Sequence, residues 1–314
     1  MKIALILDPL ESLQVYKDSS VAIMREASRR AHQLFVTGQS GLLLRDGVAR
    51  LQTTAFEFSQ GHSWYHLGEQ FEQVPELFNA ILMRKDPPFD SEYVYSTYLL
   101  EIAEQQGARV LNRPQSIRDW NEKLSVARFP QFAPEFLVTR SSEEIRDFLA
   151  EHGDIVVKPL DGMGGSGVFR LHRADHNIGV ILETITHYDR RTVMAQRYLP
   201  EIKSGDKRIL MIDGVPLPYA LARIPKSGET RGNLAAGGTG VAQALTPRDR
   251  EIADAVGPEL KKSGLFLVGM DVIGEHLTEI NVTSPTCMVE ICAQTDCNPA
   301  ALFLDALERS CATV

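Results

Sequence analysis

Cysteine is scarce and confined. The four that occur, Cys287, Cys292, Cys297 and Cys311, crowd the last stretch of the chain, with no Cys-x-x-Cys pair and no histidine at zinc-site spacing. That excludes a disulfide framework and a structural zinc site, and reduced thiols in the cytoplasm are expected. Long apolar runs are missing too: nothing approaches the roughly 18 to 20 residues a membrane helix needs. The opening Met1 to Leu7 is apolar, but it is short for a signal peptide and ends at Asp8-Pro9 rather than at a small-residue cleavage site. A buried first strand explains it better. There is no excess of basic residues either. Lysine and arginine number 33 against 41 acidic residues, for a formal net charge of −8. Proteins that coat nucleic acid or anionic membrane carry a basic surface, so neither partner is expected. An anionic substrate must be held by a local basic cluster or by metal ions. No internal repeat is visible, and 314 residues suit about two domains.

Strand and helix signals alternate in the first third, which predicts an open, mainly parallel α/β domain. A strand over Lys2 to Leu7 leads to a helix over Ser19 to Arg30 with Asp18 as N-cap. After a strand at His32 to Thr37, Asp46-Gly47 marks a hairpin between Leu42–Arg45 and Val48–Thr54. A strand at Ala80 to Met83 precedes a helix from Ser91 to Gln106, whose Tyr95, Tyr98, Leu99, Ile102 and Ala103 follow a core-facing stripe. Val110-Leu111 is a further strand. Beyond it, Ser116 to Phe129 reads as a helix with Asp119 completing a capping box. The second half mixes helices (one begun by Ser141, one over 247 to 262) with antiparallel strands, an α+β pattern.

Three segments carry chemistry. In the run from Lys158 to Gly167, Gly162, Gly164 and Gly167 fit G-x-G-x-x-G, but a strand follows rather than a helix. A dinucleotide fold is therefore disfavoured, and no Walker lysine is present. The choice left is between an ordinary glycine turn and a hairpin whose backbone N–H groups close over phosphates, with Lys158 reaching an oxygen. Next come Asp271 and the pair Glu279 and Asn281. With a turn at Gly274-Glu275-His276 and Ile273 facing Leu277, Asp271 lies opposite Glu279, and Asn281 shares that face. Opposed carboxylates repel. The set is either a solvated polar face or a platform for Mg²⁺ shared with phosphates. Lastly, 225–240 holds five glycines without period, the composition of a lid or of a linker.

The motifs MRKDPPFD (83–90), NRPQSIRDWNEKL (112–124), KPLDGMGG (158–165), GDKR (205–208), ARIPKSGETRGNLAAGG (222–238) and LTEINVTSPT (277–286) closely resemble those of the bacterial glutathione synthetases of the ATP-grasp superfamily. The resemblance loosens after Cys287: Val289 stands where that family has a basic residue, and Cys292 to Pro299 have no counterpart. It implies an N-terminal α/β domain (1–120), a small ATP-grasp lobe (121–199) and a large lobe (200–314) with the lid at 225–240. Two antiparallel lobes would grip ATP between them. By resemblance, Lys123, Lys158, Gly162, Gly164 and Gly165 hold the phosphates. Gln196, Tyr198 and Leu199 hold adenine, and Asp206 holds ribose. Asp271, Glu279 and Asn281 match Mg²⁺ ligands, with Mn²⁺ as an alternative ion. Arg208 and Arg223 match catalytic arginines, and Arg84, Ser284, Thr286 and Glu290 match positions around the peptide substrate. The implied reaction joins γ-glutamylcysteine to glycine through an acyl phosphate with ATP as co-substrate, in a cytoplasmic homotetramer. Another ATP-grasp ligase, of D-alanine or glutamate type, is the alternative. A non-enzymatic ATP-binding protein of this fold is disfavoured by the lid and the intact Asp271, Glu279, Asn281 set.

Overall fold

The computed structural model describes residues 1–61, 63–229, 231–234 and 237–312. The first sheet is built on β1 (Lys2–Ile6), followed by α1 (Ser19–Arg29), β2 (Gln33–Thr37), β3 (Leu42–Arg45), β4 (Val48–Phe58), β5 (Tyr65–Gln73) and β6 (Ala80–Met83). Helix α2 (Ser91–Gln105), β7 (Val110–Leu111) and α3 (Pro114–Asp119) complete this part of the chain. Strands β2, β1, β6 and β7 run parallel, while β3, β4 and β5 extend the sheet antiparallel. Alternation along β1 sorts the two faces. Ile3 and Leu5 meet Ile23 and Met24 of α1, whereas Ala4 and Ile6 meet Tyr93 and Leu100 of α2. The Asp18 carboxylate accepts the Ser20 and Val21 amides, so α1 starts where its cap signal says.

The second sheet joins β8 (Phe136–Thr139), β9 (Asp154–Pro159), β10 (Phe169–His172) and β11 (Val193–Arg197) in the antiparallel order β10-β9-β11-β8, backed by α4 (Ser142–His152) and α5 (Ile178–Ile185). The third has the order β14-β13-β12-β15-β16, from β12 (Asp206–Ile212), β13 (Val215–Ile224), β14 (Thr239–Ala244), β15 (Leu267–Ile273) and β16 (His276–Asn281). Helix α6 (Pro247–Lys262) packs behind it, held at its start by the Thr246–Asp249 capping box. After α7 (Met288–Gln294), helix α8 (Pro299–Ala312) returns to the first domain, where Phe303, Leu304 and Leu307 share a core with Ile23 and Met24.

Three expectations need correction. The helix over 116–129 does not exist as such. Chain 114–119 is helical with Arg113 as N-cap and no capping box, then breaks at Trp120 and resumes as a short 3-10 turn at Leu124–Arg128. The break has a cause: Asn121 Oδ1 accepts the Lys123 and Leu124 amides, while buried Trp120 packs toward Phe129 in a different core. The stripe on α2 is also displaced. Tyr95 and Tyr98 are exposed, and the buried face is Tyr93, Ser96, Thr97, Leu100 and Ala103. Ser96 and Thr97 go inside because their hydroxyls donate to helix carbonyls of Glu92 and Val94. Finally, the β15–β16 hairpin turns over Gly274-Glu275 alone, pairing Ile273 with His276 and Val272 with Leu277. A bulge at Thr278 then restores Asp271 opposite Glu279, so the pairing is right although the assumed turn is not.

Candidate active site

A cleft of about 540 Å³ opens between the second and third sheets and the first domain. Every site residue named from the sequence lines it except Arg84. Strand β9 ends by delivering buried Lys158, and the glycine loop leaves from there. The broken helix serves the same place from the other side. Its Lys123 Nζ donates to the Gly162 carbonyl at 2.7 Å, and Asn121 Nδ2 donates to that of Leu160 at 3.0 Å. Gly165 sits at φ +80°, where a side chain is strained, and a Cβ there would stand 2.8 Å from Asn233 Oδ1 and 3.1 Å from Arg231 Cδ. Residues 231–234 of the predicted lid thus lie against the glycine loop. Thr230, Ala235 and Ala236 of that segment are outside the described residues, and its last two positions, Thr239 and Gly240, belong to β14.

The end of β11 and the residues after it present Gln196, Tyr198 and Leu199 to the cleft beside Val156, Ile202 and Ile273. This is an apolar slot with one polar handle, because Gln196 Nε2 is buried without a partner. The Arg170 guanidinium lies 3.7 Å from the centre of the Tyr198 ring and is itself tied to Asp154, which fixes one wall.

Charge concentrates where β12, β13, β15 and β16 face the loop. Arg208 grips Asp271 with Nε–Oδ1 at 2.5 Å and Nη2–Oδ2 at 3.0 Å. Arg223 Nη2 bridges Asp206 Oδ2 at 2.5 Å and Asp271 Oδ2 at 2.8 Å. Glu279 Oε1 stands 3.4 Å from Lys158 Nζ and 3.8 Å from Lys123 Nζ. Burial would raise the Asp271 pKa, but the two guanidinium groups outweigh it and hold the carboxylate well below its usual range. Glu279 is lowered in the same contest, with burial opposed by Lys123 and Lys158. For Asp206 burial wins over Arg223 and, with Asp271 and Glu279 adding repulsion, pushes the carboxyl up to about 7. Asp206 Oδ1 has no partner.

The donor set suits a hard divalent cation. Among the described residues no three His, Cys, Asp or Glu side chains form a cage of their own. Asp271 and Glu279 face one another, however, and Asn281 Nδ2 donates to Gly269 O and Asp271 Oδ2, which leaves its Oδ1 as a third oxygen. Two carboxylates and an amide oxygen, completed by substrate phosphates, match the way Mg²⁺ is bound.

At the far end, Ser284, Thr286 and Glu290 line the cleft, and Glu290 Oε2 is buried without a partner. Arg84 lies behind this turn instead of in it. It is buried, with Nε donating to Ser20 Oγ at 3.0 Å and Nη2 to the Pro285 carbonyl at 2.9 Å. Its desolvation lowers its pKa, and its contacts make it a buttress for the 284–286 turn. Sequence reasoning passed over Glu122, which accepts the Val282 and Thr283 amides and the Thr283 hydroxyl. It also passed over Asp8, Lys17, Asp18 and Asp86, which the first domain contributes to the same cleft. The only sequence signal for them is their position at the ends of parallel strands and the start of α1, where open α/β sheets bind ligands.

Solved structures share this architecture. The D-cycloserine synthetase DcsG superposes with a TM-score of 0.70 at 16% identity, covering 99% of this chain and 100% of that one. D-alanyl-alanine synthetase A from Vibrio cholerae gives a TM-score of 0.62 at 11% identity, covering 100% and 98%. The two antiparallel lobes over a glycine loop are those of an ATP-grasp ligase, the class to which the domain at residues 122–296 belongs. Within that class the sequence is specific. Residues 1–118 match the prokaryotic glutathione synthetase N-terminal domain and 122–296 the ATP-grasp domain of the same enzymes. A glutathione synthetase from Nitrosomonas europaea is 60% identical over 99% of both chains, and one from Neisseria meningitidis serogroup B is 54% identical over 98% of both. The chain belongs to the prokaryotic glutathione synthetase family, and its activity is the ATP-dependent ligation that forms glutathione.

Proposed function

We propose that the cleft joins γ-glutamylcysteine to glycine by way of an acyl phosphate, with each residue in the role its position supports. A carboxylate will not acylate an amine, because the leaving group would be oxide. When the cysteinyl carboxylate oxygen attacks the γ-phosphorus of ATP, ADP departs and a mixed anhydride forms. The glycine amine, as the free base, then adds to the acyl carbon, and the tetrahedral intermediate expels phosphate. No enzyme nucleophile is needed. Catalysis comes from positioning and charge neutralisation.

Lys123 and Lys158, with the backbone of Gly162, Gly164 and Gly165, hold the phosphates. Gln196, Tyr198 and Leu199 take adenine, with the unpaired Gln196 Nε2 as donor and Asp206 Oδ1 free for ribose. Arg208 and Arg223 meet the charge on the transferred phosphoryl group, and their carboxylate partners stop them from swinging away. Asp271, Glu279 and Asn281 would hold Mg²⁺, or Mn²⁺, which when bound neutralises phosphate oxygens. Ser284, Thr286 and Glu290 face the peptide, with Arg84 supporting their turn from behind. Residues 225–240 act as the lid that keeps water from the anhydride. The reading places the enzyme in the cytoplasm, since four free thiols suit a reducing compartment. It also makes it a homotetramer, with exposed Leu67 and Phe71 on β5 as apolar surface available to another copy.

The observation that carries the reading is the bulged β15–β16 hairpin. It sets Asp271 and Glu279 face to face within reach of four cations. The test is ADP release with γ-glutamylcysteine plus glycine, run beside D-alanine pairs and a no-acceptor control. Turnover confined to the first pair supports the assignment, and turnover with D-alanine pairs overturns it.

A further inference from the structure

The cations that line the cleft are nearly all engaged. Lys123 and Lys158 face Glu279, Arg208 and Arg223 face Asp271 and Asp206, Arg170 holds Asp154, Arg197 holds Glu135, and Arg231 holds Glu229. Lys17 is different. Among the described residues no carboxylate lies within ion-pair distance of its ammonium group, which stands 5.9 Å from the centroid of the Tyr16 ring. Its backbone is nonetheless fixed. The Lys17 and Asp18 amides donate to Gln14 O at 2.9 and 3.0 Å, and Asp18 caps α1 immediately after it. In the same cleft Glu290 presents the opposite case, a carboxylate whose Oε2 is buried and unpaired. The two segments are stitched together. The Met288 amide, two residues before Glu290, donates to Ser19 Oγ, two residues after Lys17, at 3.2 Å. Arg84 ties the next residue, Ser20, to the Pro285 carbonyl.

An unpaired cation and an unpaired anion facing one cavity fit a ligand that carries both charges at one end. A γ-linked glutamyl group is such a ligand. Its side-chain carbonyl is spent in the peptide bond, so its α-ammonium and α-carboxylate are both free. We infer that Lys17 and Glu290 form a split clamp for this zwitterionic end, with Lys17 on the carboxylate and Glu290 on the ammonium. The inference rests on the peptide-ligase reading given above and adds Lys17 as a specificity-determining residue. It gives a reason for γ-linkage selectivity: an α-linked glutamyl peptide keeps a carboxylate at the same place along the chain, but its ammonium sits two carbons closer to the peptide carbonyl and no longer meets Glu290.

The test uses three acceptors for phosphorylation: γ-glutamylcysteine, 4-aminobutyrylcysteine, which lacks only the α-carboxylate, and glutarylcysteine, which lacks only the α-ammonium. Lys17→Met should lower kcat/KM for γ-glutamylcysteine by about tenfold to a hundredfold, the range for a lost hydrogen bond to a charged group. It should leave kcat/KM for 4-aminobutyrylcysteine within about twofold of the wild-type value on that analogue, because the missing partner is already gone. Glu290→Gln should show the reverse pattern, sparing glutarylcysteine. The KM for ATP serves as the control for fold and should hold in both variants. Equal losses on all three dipeptides, or no loss on γ-glutamylcysteine, overturn the clamp. Failure of the wild-type enzyme to form glutathione would instead overturn the ligase reading, so the two failures are distinguishable.

Discussion

Replacing Gly232 with alanine should uncouple the enzyme without unfolding it. A Cβ at this position would stand 2.3 Å from the Arg223 carbonyl oxygen and 3.2 Å from Asp206 Cβ. Both belong to strands of the third sheet, so neither can retreat. Ordinary contact begins near 3.4 Å, and the lid would have to lift by about 1 Å to relieve the clash. Overpacking of this size costs about 1–3 kcal/mol. Here the cost falls on the closed lid alone, since residue 232 lies outside every strand and helix. The closed population should therefore drop by about 5- to 150-fold relative to the open one. In the proposed roles, phosphoryl transfer needs the side chains of Lys123, Lys158, Arg208 and Arg223, and the new methyl meets only the main-chain carbonyl of Arg223. In the same proposal, retention of the acyl phosphate needs the lid. The measurement is ADP by a coupled assay and glutathione by thiol chromatography on the same reaction. The expected ratio is one for the wild type and well above one for the variant, with an unchanged melting temperature. A ratio of one at the wild-type rate would refute the steric reasoning and the gating role together.

Three other outcomes are expected. Glu279→Gln should depress turnover by about a hundredfold or more and abolish the response to Mg²⁺, because it removes an oxygen ligand and leaves Lys123 and Lys158 facing a neutral group; wild-type Mg²⁺ dependence in that variant would remove Glu279 from the metal set. Limited proteolysis of the free enzyme should cut near Lys226 or Arg231, with protection on adding an ATP analogue and peptide, and equal resistance in both states would make the segment a fixed loop. Glu26→Gln should cost about 2 kcal/mol at pH 7, since the hydrogen bond from Arg29, with burial opposing and Arg30 assisting, pulls this carboxyl from 4.5 to about 2. The folded pKa lies below the unfolded one, so the stabilisation is present above pH 4.5 and fades as pH falls towards 2; urea midpoints showing the same deficit at pH 7 and pH 3 would contradict the linkage.

Elements with a local cause were legible in the sequence. The caps Asp18 and Ser141 and the turn Asp46-Gly47 act within four residues of themselves, and each sits as its pattern predicts. What failed was non-local. The break at Trp120 depends on a core built from residues up to Val282, and no window around 116–129 contains that information. The α2 stripe failed because apolarity was scored where hydroxyl satisfaction decided burial. Strand β5 is exposed almost throughout and has no inward alternation to reveal it, and β14 follows directly on the glycine-rich lid, whose composition hides it. Helices α5, α7 and α8 were also passed over. In the site, the hairpin face carrying Asp271, Glu279 and Asn281 could be read from spacing, although a compensating bulge made the pairing come out right. Lys17 could not be read: a single lysine before a capping aspartate gives no sign that a chain segment 270 residues away closes over it.

The seating of α8 in the first core sets an order on folding. Phe303, Leu304 and Leu307 cover the face of the first domain formed by Ile23 and Met24, and Arg30 of α1 reaches Asp305 and Glu308 of α8. During synthesis that face emerges from the ribosome well before the helix that shields it. At about 5–20 residues per second, some 270 intervening residues leave the face bare for about 14 to 54 seconds. The nascent first domain is thus a client for whatever binds exposed apolar surface on growing chains. A premature stop before residue 299 would leave its damage there, in the domain translated first.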